Sequence, residues 1–392
     1  MTGTPADRPL RVLVLTSQLP PDIGGTSVYA AEISRGLQRA GHEVTVAIRD
    51  RDPAEFARLG LDVVRVDTKR GLLKPLRLRR AARAVVELAR ARRADVVLVA
   101  YTVVGFGDVY GALARAGVPY VVGIHGFNRS DLETPAARAR RRKKWGLTGA
   151  ARVIACTRWL AGQMELLAER GVDAVHYGID PGIDDFATPE RVAEKRRALG
   201  LEGRQVLLGL GRFVPRKNFD GVLDVLPALA RRFPDLTLLL VGGGQEEQAL
   251  RAQAARLGVA DRVVWHGQVA PHEVGVFYKL ADVFVTVSRT RPEDDTYETF
   301  GLVYAEANLC GTACVGGREA GVVEAVVDGE TGLLVPPGDA AALEEALAAL
   351  LGDPARCRAM AAAGRARVRS HFTWDRAAAE TAAILREAAG PA

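Results

Sequence analysis

Arg11-Val-Leu-Val-Leu15 is a short apolar run, and a loop carrying Pro20, Pro21, Gly24 and Gly25 follows it. Ser27 to Ala40 then spaces Val28, Ala31, Ile33, Leu37 and Ala40 along one helical face, Gly41 stops the helix, and Glu43-Val-Thr-Val-Ala-Ile48 resumes as strand. Strand, loop, helix, glycine, strand is a βαβ unit, whose right-handed crossover demands a parallel sheet. Outward from this unit the pattern repeats, with strands expected at Val63 to Val66, Val96 to Ala100, Val118 to Ile124 and Val153 to Ala155. Helical stretches such as Pro75 to Arg92 separate them. The second half restarts at Gln205 to Leu210, with a loop from Gly211 to Asn218 and a helix from Phe219 to Phe233. Leu236 to Val241, Val263 to His266, Val283 to Val287, Ala313 to Val315 and Gly332 to Val335 continue the strands. Gly178 to Pro189, rich in Gly, Pro and Asp, reads as a linker. The expected fold is α/β, two doubly wound parallel-sheet domains facing a central cleft, with ligands outside the carboxyl ends of the strands.

Composition agrees and narrows the class. A chain of 392 residues is long for one core and suits two domains. An apolar fraction of 48% with 26% charged is an ordinary globular balance. No apolar run approaches the roughly 20 residues that span a bilayer. The start, Met1 to Pro9, lacks the charged lead and apolar core of a secretory signal. Cys156, Cys310, Cys314 and Cys357 show no C-x2-C spacing, so small buried thiols in a reducing cytoplasm are expected. The net charge of +6 is concentrated in Lys69–Arg93 and Arg138–Lys144. No aromatic-interleaved basic motif accompanies these runs, so no nucleic-acid partner is expected. Solvated arginine faces are the commoner explanation, and weak membrane contact through Lys69–Arg93 is the other.

The chemistry concentrates in Glu298-Thr-Phe-Gly-Leu-Val-Tyr-Ala-Glu306. Glu298 precedes a glycine-containing turn, and Leu302 to Leu309 reads as a short helix ended by Gly311. A helix start offers unpaired N–H groups and the positive end of the dipole, which is an anion site by geometry. Glu306, two turns on, can accept hydrogen bonds from vicinal hydroxyls. Arg212 and Lys217 follow a strand end, where a guanidinium fork and an ammonium can meet phosphate oxygens. Gly24 and Gly25 allow close backbone approach. The absence of G-x-G-x-x-G argues against a dinucleotide site.

Taken in order, Gly24-Gly25, Ile124-His125-Gly126, Gly178-Ile179-Asp180, Gly211-Arg212 to Lys217-Asn218, Glu298 to Glu306, and Gly329 to Gly338 resemble the retaining GT-B glycosyltransferases of family GT4. The resemblance covers nearly the whole chain. It implies two Rossmann-like domains: an acceptor domain, 1–182, with the C-terminal helix of 373–392 packing back on it, and a nucleotide-sugar domain, 190–372. It implies that Gly25, Arg212, Lys217, Gly301 and Leu302 bind the donor diphosphate. His125, Glu298, Thr299 and Phe300 would meet the donor sugar, with His125 and Glu298 catalytic, and Glu306 would bind the nucleoside. Two local departures stand out: Gly126 where many members carry Asp after the histidine, and Thr299 where glycine is usual after the first glutamate.

The resemblance further implies front-face displacement, in which the leaving phosphate helps deprotonate the acceptor and Glu298 is not a nucleophile. No essential metal and no cofactor are expected, the co-substrate being a nucleotide diphosphate sugar. The donor expected from frequency alone is a UDP-hexose or UDP-N-acetylhexosamine. The acceptor expected is a small soluble alcohol such as an aminocyclitol, as in antibiotic biosynthesis, with a lipid-linked or phosphoinositide acceptor as the alternative. The location expected is the cytoplasm or the inner membrane face. A nucleotide-sugar epimerase and a non-catalytic binding protein are the readings from other classes. Acceptor and oligomeric state are not written in any motif.

Overall fold

The computed structural model describes residues 8–22, 24–67, 74–101, 108–290 and 296–390. Its contacts divide the chain into two units, one of residues 1–178 with 374–392, the other of residues 179–373.

The first unit is built on β1 (Arg11–Thr16), β2 (Glu43–Arg49), β3 (Asp62–Val66), β4 (Val96–Val99), β5 (Tyr120–Ile124), β6 (Arg152–Ala155) and β7 (Asp173–Ala174). All pairs are parallel, in the order β3-β2-β1-β4-β5-β6-β7. Val12 to Leu15 and Val96 to Val99 are buried, because helices cover both faces of a parallel sheet and every side chain along a central strand must be apolar. The helix Gly25–Arg39 carries Tyr29, Ile33 and Leu37 into that core. Against it lies the last helix, Trp374–Ala389, so closely that a Cβ on Gly36 would sit 2.6 Å from that of Ala378. Arg39 pairs with Asp375 at 2.7 Å across the same contact.

The second unit is a six-stranded parallel sheet of β8 (Gln205–Arg212), β9 (Leu236–Gly243), β10 (Val263–Gly267), β11 (Val283–Thr286), β12 (Ala313–Gly317) and β13 (Leu333–Val335). Its order is β10-β9-β8-β11-β12-β13. Leu207, Leu238, Val283 and Val315 meet Val222, Leu226 and Leu347 of the covering helices in one core. Both sheets are Rossmann-like, with strand order reversing beside β1 and beside β8. Those two points are where such sheets open to ligands.

Three expectations change in detail. The stretch from Gly178 to Pro189 is not a plain linker: Gly182–Phe186 is helical and Pro189 starts the next helix. Buried Asp184 there pairs with Lys279 at 2.9 Å, Arg369 at 3.3 Å and also Arg365, which binds the segment to its own unit. The two-residue strand β7 was not expected, being too short to show a pattern. Arg138–Lys144 is helical but not freely solvated throughout, since Arg141 pairs with Asp131 and Arg142 with Glu169. Lys69 and Arg70 of the other basic run lie outside the described residues. Its described part forms the helix Lys74–Ala91. Cys156, Cys310 and Cys314 are buried and Cys357 is half-buried.

Candidate active site

Strand β8 ends at Arg212, and the chain then makes a tight turn, Pro215–Lys217, before Asn218 starts the helix Phe219–Arg232. Arg212 is exposed and has no ion-pair partner among the described residues. Lys217 is turned inward, only 8% exposed, and its Nζ lies 2.7 Å from Glu298 Oε2. Arg216, which the sequence reading passed over, reaches the same oxygen at 2.8 Å and the Tyr297 carbonyl at 3.2 Å. The backbone N–H of Arg289, just past β11, donates to the Arg216 carbonyl at 2.9 Å and ties that turn to the neighbouring strand end. Ser288 Oγ lies a further 3.4 Å from Oε2.

Burial alone would push the Glu298 acid up. Lys217 and then Arg216 outweigh it and hold the carboxyl down, to about 2. Glu298 is therefore an ionised carboxylate at neutral pH. With Arg212, Arg216 and Lys217 opposed by one carboxylate, the mouth of β8 keeps a positive excess. Lys217 was expected as a phosphate ligand; in the structure it is bonded to Glu298.

After Glu298, Gly301 adopts φ 84, a left-handed conformation that suits glycine, and opens the helix Leu302–Leu309. A Cβ there would meet the Tyr304 ring at 2.6 Å. The N–H groups of Leu302 and Val303 have no intrahelical acceptor by position, whereas that of Tyr304 donates to the Gly301 carbonyl at 3.1 Å. The Phe300 ring is buried edge-on against Phe372, with centroids 5.3 Å apart, so only its backbone can address a ligand. Thr299 is half-buried beside it. Glu306 stands in a different environment from Glu298: Tyr278 donates to Oε2 at 2.8 Å, and burial raises its pKa.

In the other unit, Gly24 caps the first helix with φ 144, and Gly25 is its first residue. His125 follows β5. Its Nε2 lies 2.6 Å from the Ala100 carbonyl and its Nδ1 2.5 Å from the Tyr177 hydroxyl. Burial pushes this imidazole down to about 4, so it is neutral near pH 7. Trp374 joins Tyr29 and Tyr177 in the surrounding aromatic cluster, at centroid distances of 6.3 and 6.2 Å.

The structure thus joins Lys217 to Glu298 directly and sets Gly301 and Leu302 at a helix start. Arg212 has no such tie, Glu306 is held separately by Tyr278, and Gly25 and His125 belong to the other unit. Residues 102–107 and 291–295 lie outside the described residues. Among the described residues, no group of three or more His, Cys, Asp or Glu is arranged to hold a metal ion, and no helix is long and apolar enough to cross a membrane.

Known proteins resemble this chain in sequence and in fold. Residues 192–367 match the family of group 1 glycosyl transferases, and residues 24–181 match the glycosyl transferase 4-like domain. The chain is 34% identical over 385 residues to a GDP-mannose-dependent alpha-(1-6)-phosphatidylinositol monomannoside mannosyltransferase of Mycolicibacterium smegmatis, covering 95% of this chain and 98% of the relative. It is 32% identical over 425 residues to a D-inositol 3-phosphate glycosyltransferase of Xylanimonas cellulosilytica, covering 99% and 98%. A crystal structure of Anabaena HepE with UDP and glucose superposes with a TM-score of 0.75 at 20% identity, covering 96% of this chain and 99% of that one. A glycosyltransferase from Rickettsia africae reaches 0.81 at 16% identity, covering 98% and 100%. The chain belongs to the group 1 glycosyltransferases, of the GT-B and GT4-like type, and uses a nucleotide sugar.

Proposed function

We propose that this glycosyltransferase moves a mannosyl group from GDP-mannose to a hydroxyl of an acceptor that carries an inositol phosphate. The donor is argued from the GDP-mannose-dependent relative, and the charge for its diphosphate from Arg216, Lys217 and exposed Arg212 at the end of β8. For the acceptor, the two relatives above differ in substrate by name yet share an inositol phosphate. The UDP-linked donor, expected from frequency alone, and the aminocyclitol acceptor, expected from the lack of a spanning segment and the moderate basicity, give way to these.

On this reading the acceptor oxygen bonds to the anomeric carbon as the bond to the diphosphate breaks on the same face. The acceptor proton passes to a departing phosphate oxygen. Arg212, Lys217 and the N–H groups at Gly301 and Leu302 stabilise the negative charge that accumulates there, so no metal is needed. Glu298, a weak base held by two cations, supports the positive sugar without attacking it. Glu306 accepts from the ribose, and His125 borders the sugar as a neutral ring.

A membrane-borne acceptor is favoured over a free inositol phosphate by one feature. Leu76 is 58% exposed on the helix Lys74–Ala91, beside exposed Arg79, Arg80 and Arg83, none of which has an ion-pair partner among the described residues. Such a face suits anionic lipid.

The test pairs GDP-mannose, GDP-glucose, UDP-glucose and UDP-N-acetylglucosamine with phosphatidylinositol mannoside, free inositol phosphate and an aminocyclitol. Mannosyl transfer to an inositol-phosphate acceptor with retained anomeric configuration is expected, and flotation with anionic vesicles should weaken when Arg79, Arg80 and Arg83 become Gln. Transfer only from UDP-sugars, or only to the aminocyclitol, would overturn the proposal.

A further inference from the structure

The aromatic cluster beside β5 contains a hydrogen-bonded line that ends on His125. The Ala100 carbonyl, at 2.6 Å from Nε2, can only accept, so Nε2 must carry the proton. Nδ1 is then a bare acceptor, and the Tyr177 hydroxyl at 2.5 Å must donate to it. The Tyr177 ring also stacks along the imidazole, with centroids 5.7 Å apart and planes inclined by 26°. Tyr29 closes another side at 4.4 Å. Among the described residues, the titratable groups facing the imidazole include Tyr29, from the first helix, and Tyr177 itself, which Cys156 borders at the end of β6.

We infer that Tyr177 is a positioning residue for His125, holding its ring in one tautomer and one orientation through the donated hydrogen bond. The inference rests on the reading that His125 borders the donor sugar. A neutral imidazole adds no positive charge next to a sugar that itself becomes positive in the transition state. An imidazolium there would oppose the reaction. Tyr177 contributes by presenting a donor: while its hydroxyl points at Nδ1, protonating Nδ1 would set two donors face to face. The phenol stays protonated, because burial raises its pKa well above the ordinary tyrosine value.

Nitrogen-15 labelling of histidine in the full chain reads this directly, the His125 signal being assigned by its loss in His125→Gln. In the unaltered protein His125 should remain neutral, with the proton on Nε2, from pH 8 down to about pH 5. In Tyr177→Phe, which keeps the ring and removes only the hydroxyl, Nδ1 is released. The His125 signal should then shift and titrate at higher pH. kcat should fall about tenfold with little change in donor KM, most steeply at acidic pH. Tyr29→Phe, which removes a hydroxyl not bonded to the imidazole, should leave the His125 signal in place and controls for general loosening of the cluster.

An unchanged His125 signal in Tyr177→Phe, or a proton found on Nδ1 in the unaltered protein, overturns the positioning role. A shifted signal with unchanged transfer rates overturns instead the reading that places His125 beside the reacting sugar. If Tyr177→Phe lowers Tm, spectrum and rate are read well below the transition, where both outcomes remain distinct.

Discussion

Glu298 and Glu306 lie in one short segment, both withdrawn from solvent, and the protein drives them in opposite directions. Glu298 faces Lys217 and Arg216 and is held at about 2, whereas Glu306 faces a phenol and is raised. Burial opposes ionisation in both. What differs is the partner: two cations outweigh the lost hydration, and one neutral donor does not. A carboxylate meant to support developing positive charge must stay ionised at every working pH. One meant to accept from sugar hydroxyls can tolerate weaker ionisation.

The strongest way to break this contrast is to remove the positive charge that defines one side of it. Arg212→Gln combined with Lys217→Gln should lower kcat/KM by roughly 100- to 1,000-fold, the range seen when preorganised charge stabilisation is lost. Steady-state kinetics with the functional donor check this, and unaffected turnover would end the phosphate-cradle account.

Glu298→Gln comes next, with a loss of about 100-fold in kcat and a fall in stability, because Arg216 and Lys217 lose their counter-charge. The pH sign follows from a depressed carboxyl. Its contribution is fully present above the ordinary value of 4.5 and is lost as pH falls toward about 2. The interval corresponds to on the order of 3 kcal/mol. Urea titrations between pH 6 and pH 2.5 should therefore show the variant's deficit shrinking with acid, and a deficit constant across that range would contradict the ion-pair account.

Glu306→Gln sharpens the other side. A raised carboxyl penalises the folded state above its pKa, so the amide should match or slightly exceed the parent in stability at pH 7, by under about 1 kcal/mol. That advantage should vanish in acid. Donor KM should rise about tenfold, as expected when one charged hydrogen-bond acceptor is lost, and isothermal titration with the nucleoside diphosphate would register it. Gly301→Ala, between the two carboxylates, should have the smallest catalytic effect. It adds about 1–2 kcal/mol of strain at a left-handed position and forces the buried Tyr304 ring to shift from its 2.6 Å approach, visible as a lower Tm with a few-fold loss of rate.

The fold was legible in the sequence because buried parallel strands need unbroken apolar runs, and Val12 to Leu15 or Leu236 to Val241 could be little else. Segments without that constraint were harder. The Asp173–Ala174 strand carries no periodicity, and the helix Gly182–Phe186 hides among Gly and Asp because Asp184 is stabilised by Lys279, Arg365 and Arg369, far along the chain. At the site, the helix Leu302–Leu309 and its glycine start were readable from local spacing. Arg216 was not, since an arginine beside a lysine in a loop looks solvated until the carboxylate 82 residues away is brought to it. Tyr177 likewise gains meaning only from a partner 52 positions earlier. The acceptor was invisible for a further reason: no motif in the first half names a molecule, and the one proposed is argued from substrates named for relatives.

The first unit is interrupted: residues 179–373 intervene before Trp374–Ala389 returns to lie against Gly25–Arg39. During synthesis the second sheet is therefore complete while the earlier-made half still lacks a wall. Gly36, shaped for Ala378, waits uncovered until that residue has been made. Removing Trp374–Ala389 would take from the first-made sheet a wall it cannot replace, while the contacts within residues 179–373 remain.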